Sequence, residues 1–182
     1  MNPRNVGRKD SITRKLANEF IALAPPALKY EVVEIGALAL YNQDLEDHAA
    51  APPEPWVRFR QRVAQSEGVL FFTPEYNRSV PAALKNAIDV GSRPYGKSVW
   101  EGKPGAIVSI SPGAIGGFGA NHHLRQSMVF LGVPIMAAPE AYIGNALGLF
   151  DGDGRLNNDS TRNFLTTFGA AYAQWVEANG RK

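Results

Sequence analysis

At 182 residues, with 45% hydrophobic and 20% charged residues, the chain is long enough to bury a sizeable core as one domain. Its 19 bases and 17 acids nearly balance and form no basic stripe, which argues against a nucleic-acid partner. Cysteine is absent, so disulfides, thiolate metal sites, cysteine nucleophiles and redox thiols are excluded, and any redox chemistry must be carried by a borrowed group. The N-terminus has no signal-like apolar run and no segment approaches the ~20 apolar residues of a membrane span, so the expectation is a cytoplasmic protein with no membrane partner.

In chain order, Ile12, Leu16, Phe20 and Leu23 recur at helical spacing between Ser11 and Ala24, and Pro25-Pro26 stops the pattern. Tyr30 to Ile35 is short and rich in β-branched residues, which predicts a strand. A Pro- and Ala-rich stretch to Pro55 leads into a helix through Val63 and Ala64 that Gly68 closes. Val69 to Phe72 is an unbroken apolar run, the pattern of a strand covered on both faces. Pro81 suits the first turn of a helix over Val80 to Gly91. Ala106 to Ile110 reads as a second buried strand, followed by a glycine-rich loop from Ser111 to Gly119 and a helix from about Asn121 to Leu131. Val133 to Met136 is expected to begin the next strand. Thr161 to Ala178 closes the chain as a helix, with Phe164, Phe168, Tyr172 and Trp175 at helical spacing.

Strands alternating with helices predict a doubly wound parallel α/β sheet, with residues 1–182 as a single domain. Ligands of such sheets bind outside the carboxyl ends of the strands. That rule selects two loops, Thr73 to Ser79 and Ser111 to Gly119. In the first, Pro74 fixes one backbone angle, Glu75 and Asn77 offer acceptors and an amide donor, and Tyr76 offers a flat face. The set suits a planar ligand with a heteroatom edge, although composition alone leaves a capped turn with a surface tyrosine open. The second loop carries Gly113, Gly116, Gly117 and Gly119, which free the backbone for close approach but do not meet the dinucleotide-binding spacing. Arg8, Lys9, Asp10, Ser11 and Thr13 at the first helix start make a phosphate seat or a plain N-cap in a charge run.

Other motifs point nowhere. His122 and His123 are adjacent, so a helix directs them apart and no shared metal is expected. Asp151-Gly152-Asp153-Gly154 lacks the closing Glu of a calcium loop, Arg162 standing there, and reads as a turn. No nucleophile elbow or Walker loop occurs.

The stretch Thr73-Pro74-Glu75-Tyr76-Asn77, with Ser79-Val80-Pro81, Leu84-Lys85-Asn86-Ala87-Ile88-Asp89 and Ser92-Arg93-Pro94, closely resembles the NADPH-dependent FMN reductases, in particular the branch that reduces quinones, chromate and ferric chelates. Arg8 to Ile12, Leu40-Tyr41-Asn42, Gly102-Lys103-Pro104 and His123-Leu124-Arg125-Gln126 extend the likeness to the last helix. The resemblance implies a flavodoxin-like, three-layer α/β/α fold, FMN as cofactor, NADPH or NADH as co-substrate and assembly as a homodimer or homotetramer. It implies that Pro74, Glu75, Tyr76 and Asn77 hold the flavin ring, that Ser109, Ser111 and Gly113 lie along its other side, and that Arg8, Ser11 and Thr13 cradle its phosphate. Arg93 then stands beside the nicotinamide and acceptor pocket, acting across a subunit boundary.

One departure accompanies the likeness. The family opens with an apolar first strand and a Gly-Ser-x-Arg loop, whereas Asn5-Val6-Gly7 precede Arg8 here, so the first strand is expected to be atypical or missing. Residues 1–7 would then pair irregularly, or the chain is altered or incomplete at its start. The implied chemistry is ping-pong hydride transfer from NAD(P)H through the flavin to quinones, chromate, ferric chelates or azo dyes. It needs no general acid, general base or metal from the protein. A flavodoxin-like electron carrier and a flavin-free scaffold are the alternatives.

Overall fold

Two apolar runs become the first two strands of the sheet in the computed structural model, which describes residues 10–47 and 51–180. Val69–Pro74 (β1) and Gly105–Ile110 (β2) pair in parallel, Val69 opposite Gly105 through Pro74 opposite Ile110. Ala141–Ile143 (β3) continues the sheet on the other side of β2, also in parallel, to give the order β1-β2-β3. Among the described residues, six α-helices accompany it: Ile12–Leu23 (α1), Gln43–Asp47 (α2), Glu54–Gln65 (α3), Ala82–Gly91 (α4), Phe118–Phe130 (α5) and Asp159–Asn179 (α6).

The strand period of two divides the core into two layers. Ala106, Val108 and Ile110 of β2 pack with Leu16, Phe20, Leu165, Phe168 and Tyr172 of α1 and α6. Ile107 and Phe71 face the other way, onto Trp56, Phe59, Ala87, Leu124 and Met128 of α3, α4 and α5. Every residue of β2 is buried, as expected of a strand with helices on both faces. The architecture is therefore the expected three-layer, doubly wound α/β arrangement.

Helix direction places the site. Gly68 before β1 faces Tyr172 and Val176, so the C-terminal half of α6 lies at the amino edge of the sheet. Helix α1 runs alongside α6 in the same sense: Lys15 lies over Gly154, Glu19 accepts from the N–H of Leu156 (3.2 Å), and Phe20 and Pro25 flank Gly169. The start of α1 therefore points to the carboxyl edge, where the loops after β1 and β2 emerge.

Four expectations need correction. Tyr30 to Ile35 is not a strand, because no described strand lies beside it to complete a ladder; its side chains still pack, Tyr30 on the α1/α6 layer and Val33 and Ile35 on the opposite one. Val133 to Met136 makes only a single bridge, Ile135 with Gly105, and pairing resumes after Pro139 as β3. Helix α3 ends at Gln65, capped by Ser66, before Gly68 is reached. Helix α5 starts at Phe118, three residues early, because Gly117 turns the chain into it from the left-handed region. The expectations for residues 1–7, for the first strand and for Arg8 lie outside the described residues.

Candidate functional site

The loop after β1 closes on itself at once. Tyr76 and Ser79 exchange two backbone hydrogen bonds, Tyr76 N–H to Ser79 O at 2.9 Å and Ser79 N–H to Tyr76 O at 3.0 Å. Asn77 and Arg78 between them have φ of 51° and 62°. Two left-handed central residues define the tight type I′ turn. Asn accepts this backbone readily, whereas Arg78 bears a cost of about 1 kcal/mol. Glu75 helps hold it there, meeting the Arg78 guanidinium at 3.3 Å. Pro74 is the last residue of β1, opposite Ile110, so the turn is rooted in the sheet.

Glu75 also bridges the two loops. Its side chain is 11% exposed, and Oε2 accepts the N–H of Ala120 in the first turn of α5 at 3.1 Å. A carboxylate at that helix end satisfies an orphan donor and meets the positive end of the helix dipole. Gly119 lets this contact form, since a Cβ there would sit 2.7 Å from the Arg78 carbonyl oxygen and 2.9 Å from Glu75 Oε2. The carboxylate thus braces the site from inside, and Tyr76, 58% exposed, is the side chain the turn presents outward.

The loop after β2 is folded as tightly. Ser111 Oγ accepts the N–H of Gly113 at 3.0 Å, and Gly113 O accepts from Gly116 (3.3 Å) and Asn145 (3.2 Å). Gly116 and Gly117, at φ 60° and 77°, turn the chain into α5. Gly116 lies against the Tyr142 backbone, where an added Cβ would come within 2.5 Å of the carbonyl carbon. Gly113, by contrast, is exposed, and a Cβ there would meet only Ser111 Oγ.

Ser109 is placed differently from the other residues of the expected site. It is fully buried, its Oγ donating to Ala141 O (3.3 Å) and accepting from Asn121 Nδ2 (3.2 Å), so the hydroxyl ties β2 to β3 and α5 beneath the rim. Ser11 caps α1, its Oγ accepting from the Arg14 N–H at 3.3 Å, and Thr13 is half-buried one residue into the helix. Arg93 is not brought to these loops within the chain. Helix α4 leaves the carboxyl edge after Pro81, and its ten residues carry the chain about 15 Å to the opposite end before Ser92 and Arg93.

Sequence reasoning missed a third group at this edge. Phe118, His122 and Tyr142 form an aromatic cluster, Phe118 to His122 at 4.1 Å between centroids, with His122 Nε2 2.9 Å from the Tyr142 hydroxyl. Burial, with Glu140 hydrogen-bonded beside it, pushes the Tyr142 phenol up to about 12, so it stays protonated at neutral pH. His123 points elsewhere, to Ser79 Oγ at 3.0 Å, as adjacency on a helix requires. Only the helical spacing of Phe118 and His122 could have signalled the cluster, and β3 had to be located before Tyr142 joined it.

The flavin implied by the sequence resemblance fits what these elements offer. The N–H groups of Asn77, Ala114 and Ile115 have no acceptor among the described residues, which leaves donors for a heteroatom edge on both loops. The exposed Tyr76 ring offers a face, and the first turn of α1 offers orphan N–H groups beside the Ser11 and Thr13 hydroxyls for a phosphate.

Comparison with known proteins gives the family. The family model described as NADPH-dependent FMN reductase matches residues 6–148. A quinone reductase of Pseudomonas putida is 61% identical over 172 residues, covering 94% of this chain and 91% of the relative. A 2-hydroxy-1,4-benzoquinone reductase of a Burkholderia species is 44% identical over 169 residues, covering 93% and 91%. The solved structure of FerB, a flavoenzyme NAD(P)H:(acceptor) oxidoreductase from Paracoccus denitrificans, superposes with a TM-score of 0.88 at 40% identity, covering 96% of this chain and 94% of that one.

Proposed function

The chain belongs to the NADPH-dependent FMN reductase family, and from that membership we propose that its acceptors are quinones, reduced at the carboxyl edge of the sheet. It is a flavodoxin-like enzyme that takes FMN as cofactor and NAD(P)H as co-substrate. The similarity to the P. putida quinone reductase carries the acceptor class. Chromate, ferric chelates and azo dyes follow as secondary acceptors of the same open site.

When bound, FMN would supply a two-electron hydride carrier between NAD(P)H and the acceptor, with the further proton of the quinol coming from water. The residues of this chain bind and orient. Pro74 to Asn77 form a preset turn whose peptide N–H and Tyr76 ring meet one edge and face of the flavin. Ser111 and Gly113 keep the opposite loop close and unobstructed, and Ser109 holds the floor beneath it. Ser11 and Thr13, with Arg8 ahead of them, seat the phosphate at the start of α1. A set of fixed dipoles of this kind costs no reorganisation during turnover. No side chain is assigned as general acid or base.

Arg93 takes its place through a second copy of the chain. The outer face of α4 and α5 carries a shallow cavity of ≈ 480 Å³ lined by Tyr41, Lys85, Arg93, Gln126 and Phe130. Phe130 of that lining is 90% exposed and Val129 before it 77%, a degree of apolar exposure that marks an interaction surface. A homodimer joined there would bring Arg93 toward the partner's nicotinamide and acceptor site, and pairing of dimers gives a homotetramer. We take residues 1–182 as one FMN-binding domain, a reading supported by the two core layers of the described residues, which pack on the same sheet. No described helix is long and apolar enough to cross a membrane, and we place the enzyme in the cytoplasm, where NAD(P)H is generated.

Steady-state oxidation of NADPH and NADH by the FMN-loaded protein, with 1,4-benzoquinone varied, tests the proposal. Quinone-dependent turnover with parallel double-reciprocal lines is expected. Nicotinamide oxidation that does not depend on the quinone would overturn the acceptor assignment.

A further inference from the structure

Residues 38–47 are stitched to α3 and α4 by groups that leave little slack. Asn86 of α4 is 7% exposed and spends its whole amide on this segment: Oδ1 accepts the Tyr41 N–H (2.8 Å), while Nδ2 donates to Leu38 O (3.3 Å) and Ala39 O (3.0 Å). Trp56 of α3 is fully buried, and its Nε1 donates to Ala39 O at 3.0 Å. Arg60 forks onto Glu46 at 2.9 and 2.5 Å and donates from Nε to Val90 O at the end of α4 (2.8 Å).

These anchors fix the ring of Tyr41. It stacks on the Trp56 ring at 5.4 Å between centroids and 28° between planes, and Arg60 lies over Trp56 at 5.7 Å. The Arg93 guanidinium in turn lies over the Tyr41 ring, 5.6 Å from its centroid. Arg93 makes no ion pair among the described residues, whereas its neighbour Lys85 bonds both oxygens of Asp89 at 2.7 and 2.8 Å. Arginine on a free stem loses rotamer entropy when it binds an anion. A guanidinium resting by its face on an aromatic ring has part of that entropy already removed, and its in-plane N–H donors stay free for an oxyanion.

We propose that Tyr41, clamped between Trp56 and Arg93, is a positioning residue that pre-sets Arg93 for the phosphate oxygens of the nicotinamide dinucleotide. The inference rests on the role given to Arg93 above, and the test separates the two. NADP⁺ affinity is measured by calorimetry on the FMN-loaded oligomer, together with the KM for NADPH and the melting temperature.

Arg93→Ala is expected to weaken NADP⁺ binding roughly tenfold or more. Tyr41→Leu and the less disruptive Tyr41→Met are expected to weaken it about two- to fivefold, in KM rather than kcat, with little change in melting temperature. Tyr41→Phe should restore the wild-type value, because the ring face and not the hydroxyl does the positioning. The double variant Arg93→Ala/Tyr41→Leu should bind no worse than Arg93→Ala. Three results overturn the inference while leaving Arg93 its role: Leu and Met variants that bind as wild type, a Phe variant as weak as Leu, or additive losses in the double variant. Wild-type affinity of Arg93→Ala would instead remove the role of Arg93, and this inference with it.

Discussion

Gly116→Ala is expected to lower the melting temperature by roughly 5–15 °C and to weaken flavin binding in whatever protein remains folded. Two costs add. Gly116 sits at φ 60°, where an alanine loses about 1–2 kcal/mol to its own backbone. Its Cβ would also come within 2.5 Å of the Tyr142 carbonyl carbon, 2.7 Å of Ile143 N and 2.8 Å of Tyr142 O, all of them backbone of the neighbouring strand β3 and unable to rotate away. Overpacking of that kind costs about 1–3 kcal/mol more. Relief is possible only by moving the loop after β2 off β3, which displaces the Ala114 and Ile115 peptides from the rim of the site. Thermal melts of the apo protein and FMN titrations of the same samples check both halves. A melting temperature within 2 °C of wild type would show that the close approach at Gly116 is not a constraint.

Trp56→Ala is the second change of large effect, about 3–5 kcal/mol by deletion of a fully buried ring. Part of the loss is cavity, since Phe59, Trp100 and Leu124 of the same layer cannot all collapse into the space. Part is polar, because Ala39 O keeps only the Asn86 Nδ2 bond once Trp56 Nε1 is gone. The total is a large share of the ~5–15 kcal/mol that holds an ordinary protein folded. Urea unfolding gives the loss as a shift in midpoint, and Trp56→Phe should recover much of it because a ring still fills the site. The same deletion takes the support from under Tyr41, so NADP⁺ affinity should fall as it does for Tyr41→Leu. A destabilisation below about 1 kcal/mol would contradict the account of that core layer.

What could be read from the sequence were the features set by local pattern. The stripe Ile12, Leu16, Phe20, Leu23 gave α1 within a residue, and the unbroken runs marked β1 and β2 as strands, although only β2 is buried throughout, while Leu70 and Phe72 of β1 stay partly exposed. The residues Pro74 to Asn77 also carried the family likeness that the comparisons support. What escaped were features set by partners distant in the chain. Tyr30 to Ile35 has the composition of a strand, but a strand exists only beside another. β3 is three residues long and follows Pro139, so neither length nor periodicity marks it. The early start of α5, turned in at Gly117, is also met by Glu75, 45 residues away, which accepts the Ala120 N–H. Ser109 looked like a rim hydroxyl because strand alternation alone does not reveal that Asn121 waits to bond it. Asn86 entered the sequence reading only as part of the family likeness, and its role as a tertiary lock appeared when its partners in residues 38–41 were placed.

Two regions therefore have different parts. The carboxyl edge of the sheet gathers rigid backbone donors and one exposed tyrosine, while the outer face of α4 and α5 carries Arg93, the charge proposed to meet the anionic co-substrate. The first of these is the central claim, and the visible absorption spectrum of the purified protein titrated with FMN tests it most directly. The account predicts saturable binding of one flavin per chain, with a shifted band that bleaches under anaerobic NADPH and returns on adding benzoquinone. A spectrum that remains that of free FMN at every ratio, with the flavin passing through a filter that retains the protein, would contradict it.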